Sequence, residues 1–273
     1  MHFRQLCYAP PLHTLSPTPH RCHGLRDLTS ARSYLAGTHG DSTSEGIYRA
    51  TFDSESGTFT AGPTLVAEAG TSPDWLSWHP TLPVLICTNE TGERFEGDTD
   101  IPDSTVTSYR LTPRGGLALS GRCTTGGQTA CHIGLHPRGR FLAVANHGAP
   151  GSAAVISLDE DGAVGELCAV AVHPDLEEPG ETVDEGKSHV HSCNFDATGR
   201  WLLACDKGQD KVVIYRFDEE SGGLTRHSEM AVSAGGAARH MALHRDGRHL
   251  VLCEESGNMV TICAFDAEAG ELT

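Results

Sequence analysis

The sequence predicts an all-β protein made of repeated four-stranded antiparallel units, and three observations support this. Short runs rich in Val, Ile, Leu and Phe alternate with turns that contain Gly, Asp or Asn, which is the pattern of antiparallel strands. One segment pattern occurs four times, beginning at positions 75, 132, 191 and 240. The chain of 273 residues also contains 31 Gly and 14 Pro and has no long helical pattern, so a single all-β domain is expected.

Each repeat starts with a short apolar segment, passes through a turn and continues into a second apolar segment. The four copies are Trp75–Glu90, His132–Gly148, His191–Gly208 and His240–Ser256. A third run follows each copy (TVTSYRL, SAAVISL, KVVIYRF and MVTICAF), and a looser fourth run follows the first three of these. Four short strands in a unit of roughly 40–50 residues are typical of a β-propeller blade. Such a unit cannot bury both of its faces alone, so neighbouring units are expected to stack.

The two ends of the chain depart from this repeat. Residues 1–32 are rich in Pro, His and Arg and lack the apolar core of a signal peptide, so we interpret them as a disordered leader or a misassigned start. The propeller domain is expected to cover 33–273. Its first part, 33–70, reads as strands two to four of a blade without an inner strand, and its last unit stops at Thr273 before a fourth strand. We therefore expect an open arc of about five blades, three complete and two partial, from the front of a longer chain.

Net charge limits the kinds of partner this protein can bind, and its cysteines indicate the cellular compartment. The formal net charge of −16 argues against nucleic acid and anionic membranes as partners, although local Arg and His side chains can still bind a small anion. No run of 18 apolar residues predicts a membrane span. The ten cysteines form no CxxC pair, which together with the lack of a secretory leader predicts buried, reduced thiols in a cytoplasmic protein. Nothing in the sequence indicates an oligomeric state.

The predicted propeller places ionisable side chains around one axis, because the first strand of every blade lines the central channel. The positions that begin the four repeats are Trp75, His132, His191 and His240, with Arg239 beside the last. The matching ends of the second strands carry Asn89-Glu90, Asn146-His147, Asp206 and Glu254-Glu255. Recurrence of such residues at one ring position favours a ligand site. The residues that recur in the turn after strand one are instead interpreted as structural: His79, His136 and His244.

Three segments resemble the lactonase family of seven-bladed propellers, which includes propeller-type 6-phosphogluconolactonases and fungal carboxy-cis,cis-muconate cyclases. They are CHIGLHPRGRFLAVANHG, SHVHSCNFDATGRWLLACDKGQDKVVIYRFD and GGAARHMALHRDGRHLVLCEE. The resemblance covers about 33–273. The GPRH, DxGxD and NE steps of that family appear as Ala237–His240, Asp206–Asp210 and Glu254-Glu255. The chain departs from the pattern at Ala238, which replaces Pro, and at Glu254, which replaces Asn.

The resemblance implies a site and an activity. The implied catalytic residues are His191, Arg239 and Glu255, and the residues expected to bind substrate are His132, Asn146, Asp206, His240 and Glu90. The implied reaction is metal-independent hydrolysis of an anionic lactone, foremost 6-phospho-D-glucono-1,5-lactone in the pentose phosphate pathway, without a cofactor. Glu255 or His191 would activate water and Arg239 would hold the oxyanion. A muconate-type lactonising cycloisomerase is the first alternative, and a non-catalytic binding propeller or an inactive fragment is the second.

Overall fold

The computed structural model describes residues 6–8, 31–36, 45–69, 72–90, 103–174 and 187–273. These residues form five antiparallel sheets, each of four strands that follow one another in chain order. No helix in these described ranges has the length and apolar character needed to cross a membrane. The predicted all-β class and the four-stranded antiparallel blade are therefore confirmed. Most of the predicted leader lies outside the described residues.

The strands of the five sheets, numbered in chain order, run from an inner first strand to an outer fourth strand. The first sheet contains β1 (Leu6–Tyr8), β2 (Ala31–Ala36), β3 (Gly46–Asp53) and β4 (Thr58–Glu68). The second contains β5 (Pro73–Trp78), β6 (Val84–Asn89), β7 (Thr105–Leu111) and β8 (Leu117–Thr124). The third contains β9 (Ala130–Leu135), β10 (Phe141–Asn146), β11 (Ser152–Leu158) and β12 (Val164–Val172). The fourth contains β13 (Val190–Phe195), β14 (Trp201–Asp206), β15 (Lys211–Asp218) and β16 (Gly223–Ala231). The fifth contains β17 (Ala238–Leu243), β18 (His249–Glu254), β19 (Met259–Asp266) and β20 (Glu271–Leu272).

Two expectations about the ends of the arc are wrong. The first sheet does have an inner strand, because Leu6–Tyr8 pairs with Tyr34–Ala36 in antiparallel register. Part of the segment interpreted as a leader thus belongs to the first sheet. The fifth sheet does have a fourth strand, since Glu271–Leu272 pairs with Phe265 and Asp266. Strands of three and two residues are too short for alternation of polar and apolar residues to predict them.

Stacking of the sheets explains why the second strands read as unbroken apolar runs. Each inner strand packs against the inner strand of the next sheet, in the order β1, β5, β9, β13, β17. One face of the fourth sheet, including Leu203, Val212 and Ile214, is buried against Leu250 and Leu252 of the fifth. Middle strands β6, β10 and β14 are consequently buried at every residue. A strand covered on both faces needs apolar side chains at successive positions.

Two of the turn histidines connect neighbouring sheets. In His136, Nδ1 accepts a hydrogen bond from the backbone amide of Arg138, and Nε2 lies 3.3 Å from the carbonyl oxygen of Gly199 in the next sheet. His79 bonds in the same way to Gly139, at 2.8 Å. Both imidazoles are buried. Because Nδ1 is an acceptor, the proton sits on Nε2 and is donated across the interface. The structural interpretation of these two residues agrees with their contacts.

The third turn histidine, His244, has a different environment. Its side chain is 62% exposed, and its Nδ1 lies 3.1 Å from Asp246 Oδ2 within the same turn. We expect His136→Ala to lower the free energy of unfolding by about 2 kcal/mol, because the buried carbonyl of Gly199 and the partly buried amide of Arg138 lose their partner. We expect His244→Ala, the matched control, to change it by less than about 0.5 kcal/mol. Urea denaturation of both variants measures the difference, and equal losses would contradict the distinct roles.

Candidate functional site

The site is built on a β-bulge near the start of the inner strands. In the fifth sheet Ala238 pairs with Glu254 and His240 pairs with Cys253, so one residue between them has no partner of its own. The third and fourth sheets have the same shift. A bulge bends the strand and re-aims a side chain, here so that His191 of the fourth sheet meets Arg239 of the fifth. The extra residues of the three strands are Cys131, His191 and Arg239.

The bulge changes which residues of the repeats are equivalent to one another in the structure. His191 is structurally equivalent to Arg239, whereas His132 and His240 occupy the next position. Aligning the repeats on their first residues misplaced His191 by one. The structure nevertheless brings the predicted rings together. Trp75 lies 4.2 Å from His132 and 5.5 Å from His240 between ring centroids, and His191 lies 4.9 Å from His240.

Arg239 is held by contacts from two sheets. Its Nε–H donates a hydrogen bond to His191 Nε2 at 3.0 Å, and its Nη1 lies 3.6 Å from Glu255 Oε1. The other carboxylate oxygen of Glu255 lies 2.7 Å from Lys207 Nζ. About a third of the surface of each of these three charged side chains is exposed. Two cations therefore share one carboxylate beside a partly open channel.

The protonation states follow from these contacts. Because His191 Nε2 accepts a hydrogen bond, its proton must lie on Nδ1. Burial, with the positive charge of Arg239, lowers the pKa of His191 to about 2. Burial and His240 lower the pKa of His132 to about 3, and burial and Arg239 lower that of His240. The hydrogen bond from Lys207, helped by Arg239 and opposed by burial, lowers the pKa of Glu255. Near neutral pH the imidazoles are uncharged and Glu255 is ionised.

The loop before Arg239 is fixed by the second aspartate of the DxGxD step. Asp210 accepts hydrogen bonds from the backbone amides of Gly235, at 2.6 Å, and Ala237, at 2.7 Å. Ala237 has a φ of 59°, in the left-handed region that favours glycine. Glycine is the residue that the GPRH step of the resembled family has at this position. The two bonds to Asp210 hold the unfavourable backbone in place and so fix where the inner strand of the fifth sheet begins.

Asn146 and Asp206 do not face the channel, contrary to their predicted contact with substrate. Both are 0% exposed. The amide of Asn146 donates to the carbonyl oxygen of Thr125 and to Ser152 Oγ, at 3.3 and 3.0 Å. These are bonds within its own sheet and to the end of the preceding one. The end of the second strand is therefore a structural position.

Asp206 belongs to a buried chain of hydrogen bonds. Its Oδ2 lies 2.7 Å from His173 Nδ1, and His173 Nε2 lies 2.6 Å from the hydroxyl of Tyr215. Its Oδ1 accepts the backbone amide of His189 at 2.9 Å. The carboxylate thus ties the end of the third sheet to the segment that leads into the fourth.

In four sheets, the residue that follows the buried end of the second strand lies at the rim. Its backbone amide bonds to the residue before the inner strand in four sheets, for example His147 N to Thr129 O at 3.0 Å. The four equivalent residues are Glu90, His147, Lys207 and Glu255. Sequence reasoning gave site roles to Glu90 and Glu255 but none to His147, which it named only as a strand end, or to Lys207. Their place in the repeat, one residue beyond Asn146 and Asp206, was the signal that could have found them.

His147 and Glu90 also lie at the rim. The imidazole of His147 stacks on His189, with ring centroids 4.7 Å apart, and its centroid lies 5.1 Å from that of His191. Glu90 is half-buried and lies close enough to Cys131 that its charge adds to burial and to Asp74 in raising the pKa of that thiol. The rim therefore carries both signs of charge around uncharged imidazoles.

One group of potential metal ligands lies elsewhere in the described residues. His244, Asp246 and His249 place one donor atom each within 4.8 Å of one another, on an exposed turn of the fifth sheet. Asp246 Oδ1 already accepts the backbone amides of Arg248 and His249. We interpret this group as turn stabilisation outside the channel.

Comparison with known proteins places this architecture in a family. The family model described as "Lactonase, 7-bladed beta-propeller" matches residues 33–273. A 6-phosphogluconolactonase of Bacillus subtilis is 25% identical over 209 residues, which are 76% of this chain and 55% of that protein. A 6-phosphogluconolactonase of Pectobacterium carotovorum is 32% identical over 145 residues, 52% of this chain and 39% of that protein.

A solved structure is similar over most of the described fold. The periplasmic gluconolactonase PpgL of Pseudomonas aeruginosa superimposes with a TM-score of 0.79 at 30% identity, covering 89% of this chain and 66% of that one. The chain spans about half the length of the curated relatives it matches, from 41 to 56% for the first four. Since the family model matches all of the repeat region, the chain belongs to the family of 7-bladed β-propeller lactonases.

Proposed function

We propose that the protein hydrolyses the ester bond of a sugar lactone, with 6-phospho-D-glucono-1,5-lactone as its specific substrate. Membership of the lactonase family and similarity to enzymes named 6-phosphogluconolactonase and gluconolactonase support the reaction class. The observation that carries the proposal is the arrangement of Arg239, which is held between His191 and Glu255 at the rim of the channel.

The roles in the reaction follow from charge. Opening a lactone builds negative charge on the carbonyl oxygen when water adds to the carbon, and a fixed cation at that oxygen lowers the barrier. Arg239 suits this role because its guanidinium is always protonated and keeps N–H groups besides the one given to His191. His191 and Glu255 fix the plane of the guanidinium. Both therefore act through Arg239.

The same group of charges supports an anionic substrate. Arg239 and Lys207 carry two positive charges and share the single carboxylate of Glu255, so this cluster keeps one net positive charge in a protein with a formal net charge of −16. A phosphate or carboxylate group can replace part of the contact of Glu255 with the two cations. That chemistry fits a phosphorylated sugar lactone, and it also fits the dicarboxylate substrate of a cycloisomerase.

A panel of lactones tests this proposal. We expect the full-length protein to hydrolyse 6-phosphogluconolactone in a pH-stat assay with a higher kcat/KM than unphosphorylated gluconolactone or muconolactone. EDTA should leave the rate unchanged, because the proposed roles are filled by Arg239, Glu255 and neutral imidazoles. Equal rates on the phosphorylated and unphosphorylated sugars would contradict the substrate, and conversion of only the muconolactone would favour the cycloisomerase. Loss of activity with EDTA that a divalent ion restores would contradict the metal-free mechanism.

A cytoplasmic location is part of the same proposal. The eight cysteines between Cys87 and Cys263 are all free, which is usual in a reducing compartment. The similar gluconolactonase of Pseudomonas aeruginosa is named as periplasmic, so fractionation of cells is the direct measurement. Recovery of the protein in the periplasmic fraction would contradict this part.

A further inference from the structure

We propose that His147, at the rim between the third and fourth sheets, is the general base that activates water for lactone opening. The inference rests on the proposed function and names a catalytic residue that lies outside the GPRH-like, DxGxD-like and NE-like steps of this chain. Some nitrogen and oxygen atoms at the rim already make hydrogen bonds or ion pairs, and others remain available to accept a proton.

His191 is not available as a base in this arrangement. Its Nε2 lone pair accepts the Nε–H of Arg239 at 3.0 Å, and its Nδ1 therefore carries the proton and lies 3.9 Å from Cys131 Sγ. A base must offer a lone pair to the proton that it removes. Taking a proton on Nε2 would break the bond that orients Arg239 and would put a second positive charge beside it. We therefore assign His191 as a positioning residue.

Glu255 is a weak base for a different reason. One carboxylate oxygen lies 2.7 Å from Lys207 Nζ and the other lies 3.6 Å from Arg239 Nη1. Each contact favours the ionised carboxylate, and together they lower its pKa despite partial burial. Protonation of Glu255 would release both cations at the moment when negative charge develops on the lactone. Its role is to keep the two cations in place.

The other two histidines of the inner strands, His132 and His240, pack against aromatic rings. His132 Nδ1 accepts the backbone amide of Cys193 at 3.3 Å, and its ring is 4.2 Å from that of Trp75. The ring of His240 lies within 5.6 Å of the rings of Trp75, His132 and His191. His132 is thus buried with one nitrogen engaged, and aromatic rings pack around His240. Both residues are better placed to form the floor of the site.

His147 combines a fixed position with an available ring. Its backbone amide donates to Thr129 O at 3.0 Å, and its carbonyl accepts the Nδ1–H of His189 at 2.8 Å. The ring stacks on His189, yet neither of its nitrogens makes a hydrogen bond within the described part of the chain. Burial lowers the pKa of His147 to about 4, helped by His189, Lys207 and Arg239 and opposed by Glu255. The imidazole is therefore neutral, with a lone pair that can accept a proton.

In the proposed step, His147 carries one proton from water to the departing ring oxygen. His147 takes one proton from water while the water oxygen bonds to the carbonyl carbon, and Arg239 receives the negative charge on the carbonyl oxygen. When the carbonyl re-forms, the bond from that carbon to the ring oxygen breaks. The protonated imidazole then gives its proton to the departing ring oxygen. The sum is lactone plus water giving a hydroxy acid, and His147 ends neutral as it began.

The test is the rate of 6-phosphogluconolactone hydrolysis by the full-length protein and two variants of His147. We expect His147→Gln to lower kcat about a hundredfold or more, the usual contribution of a general base, with little change in KM. Added imidazole should restore part of the activity of His147→Ala, because a small base can enter the space left by the side chain. His227→Gln is the matched control, since His227 lies on the outer strand β16, where its Nε2 lies near the carbonyl of Ala269 and its ring packs on Trp201.

Each outcome decides something different. A reduced kcat with rescue by imidazole supports the assignment. Wild-type kcat in His147→Gln, or a large rise in KM with kcat unchanged, overturns the assignment and leaves the proposed function standing. A reduced kcat without rescue in a variant whose thermal midpoint has also fallen indicates a structural role and likewise overturns it. A wild-type protein no faster than buffer on any lactone overturns the proposed function and this inference with it.

Discussion

Replacement of Arg239 by alanine is expected to lower kcat/KM at least about a hundredfold, the scale of losing one donor to an oxyanion. The guanidinium bonds to His191 Nε2 on one side and pairs with Glu255 Oε1 on the other. Removing it leaves the developing negative charge without a fixed cation and leaves the carboxylate of Glu255 with Lys207 alone. The measurement is kcat/KM on the lactone that the wild-type protein hydrolyses fastest.

Two further arginine variants sharpen this result. Arg239→Lys keeps the charge but not the Nε–H that bonds to His191, so its kcat/KM should lie between those of wild type and Arg239→Ala. Arg226→Ala removes an exposed arginine of β16 that pairs with Glu229, and it should leave the rate unchanged. A folded Arg239→Ala protein with wild-type kcat/KM would remove Arg239 from the site.

Replacement of Asp206 by alanine is expected to lower the free energy of unfolding by about 3 kcal/mol, because a buried carboxylate that accepts several hydrogen bonds is lost. The carboxylate is fully buried and accepts hydrogen bonds from His173 Nδ1 and the amide of His189. Without it, the buried imidazole of His173 and the partly buried amide of His189 lose their acceptor. Denaturation in urea, followed by far-UV circular dichroism, gives the loss.

The matched control is Asp218→Ala. Asp218 ends the next strand, β15, and is exposed, with its carboxylate bonded to Ser221 in the adjacent turn. Its removal should change the free energy of unfolding by less than about 1 kcal/mol. An Asp206→Ala variant that is as stable as wild type but has a raised KM for the lactone would support the predicted contact of Asp206 with substrate.

The repeat made most of the fold predictable from sequence. Four copies of one strand–turn–strand segment allowed the boundaries of the middle sheets to be placed, because stacked blades need the same apolar pattern each time. The short terminal strands of the first and last sheets were harder to predict from sequence. Leu6–Tyr8 and Glu271–Leu272 are strands because a neighbouring strand offers them hydrogen bonds. Two or three residues carry too little pattern of their own to show it.

For the candidate site, the sequence by itself determined that a cation, a carboxylate and several imidazoles belong to one rim, through Arg239, Glu255 and the recurring histidines. The tertiary structure decided which of them face the channel. A bulge shifts His191 by one position and lets it bond to Arg239, while the strand ends Asn146 and Asp206 are turned into the space between sheets. The reason is physical: in a strand a shift of one residue exchanges the two faces, and residue spacing along the chain does not record it.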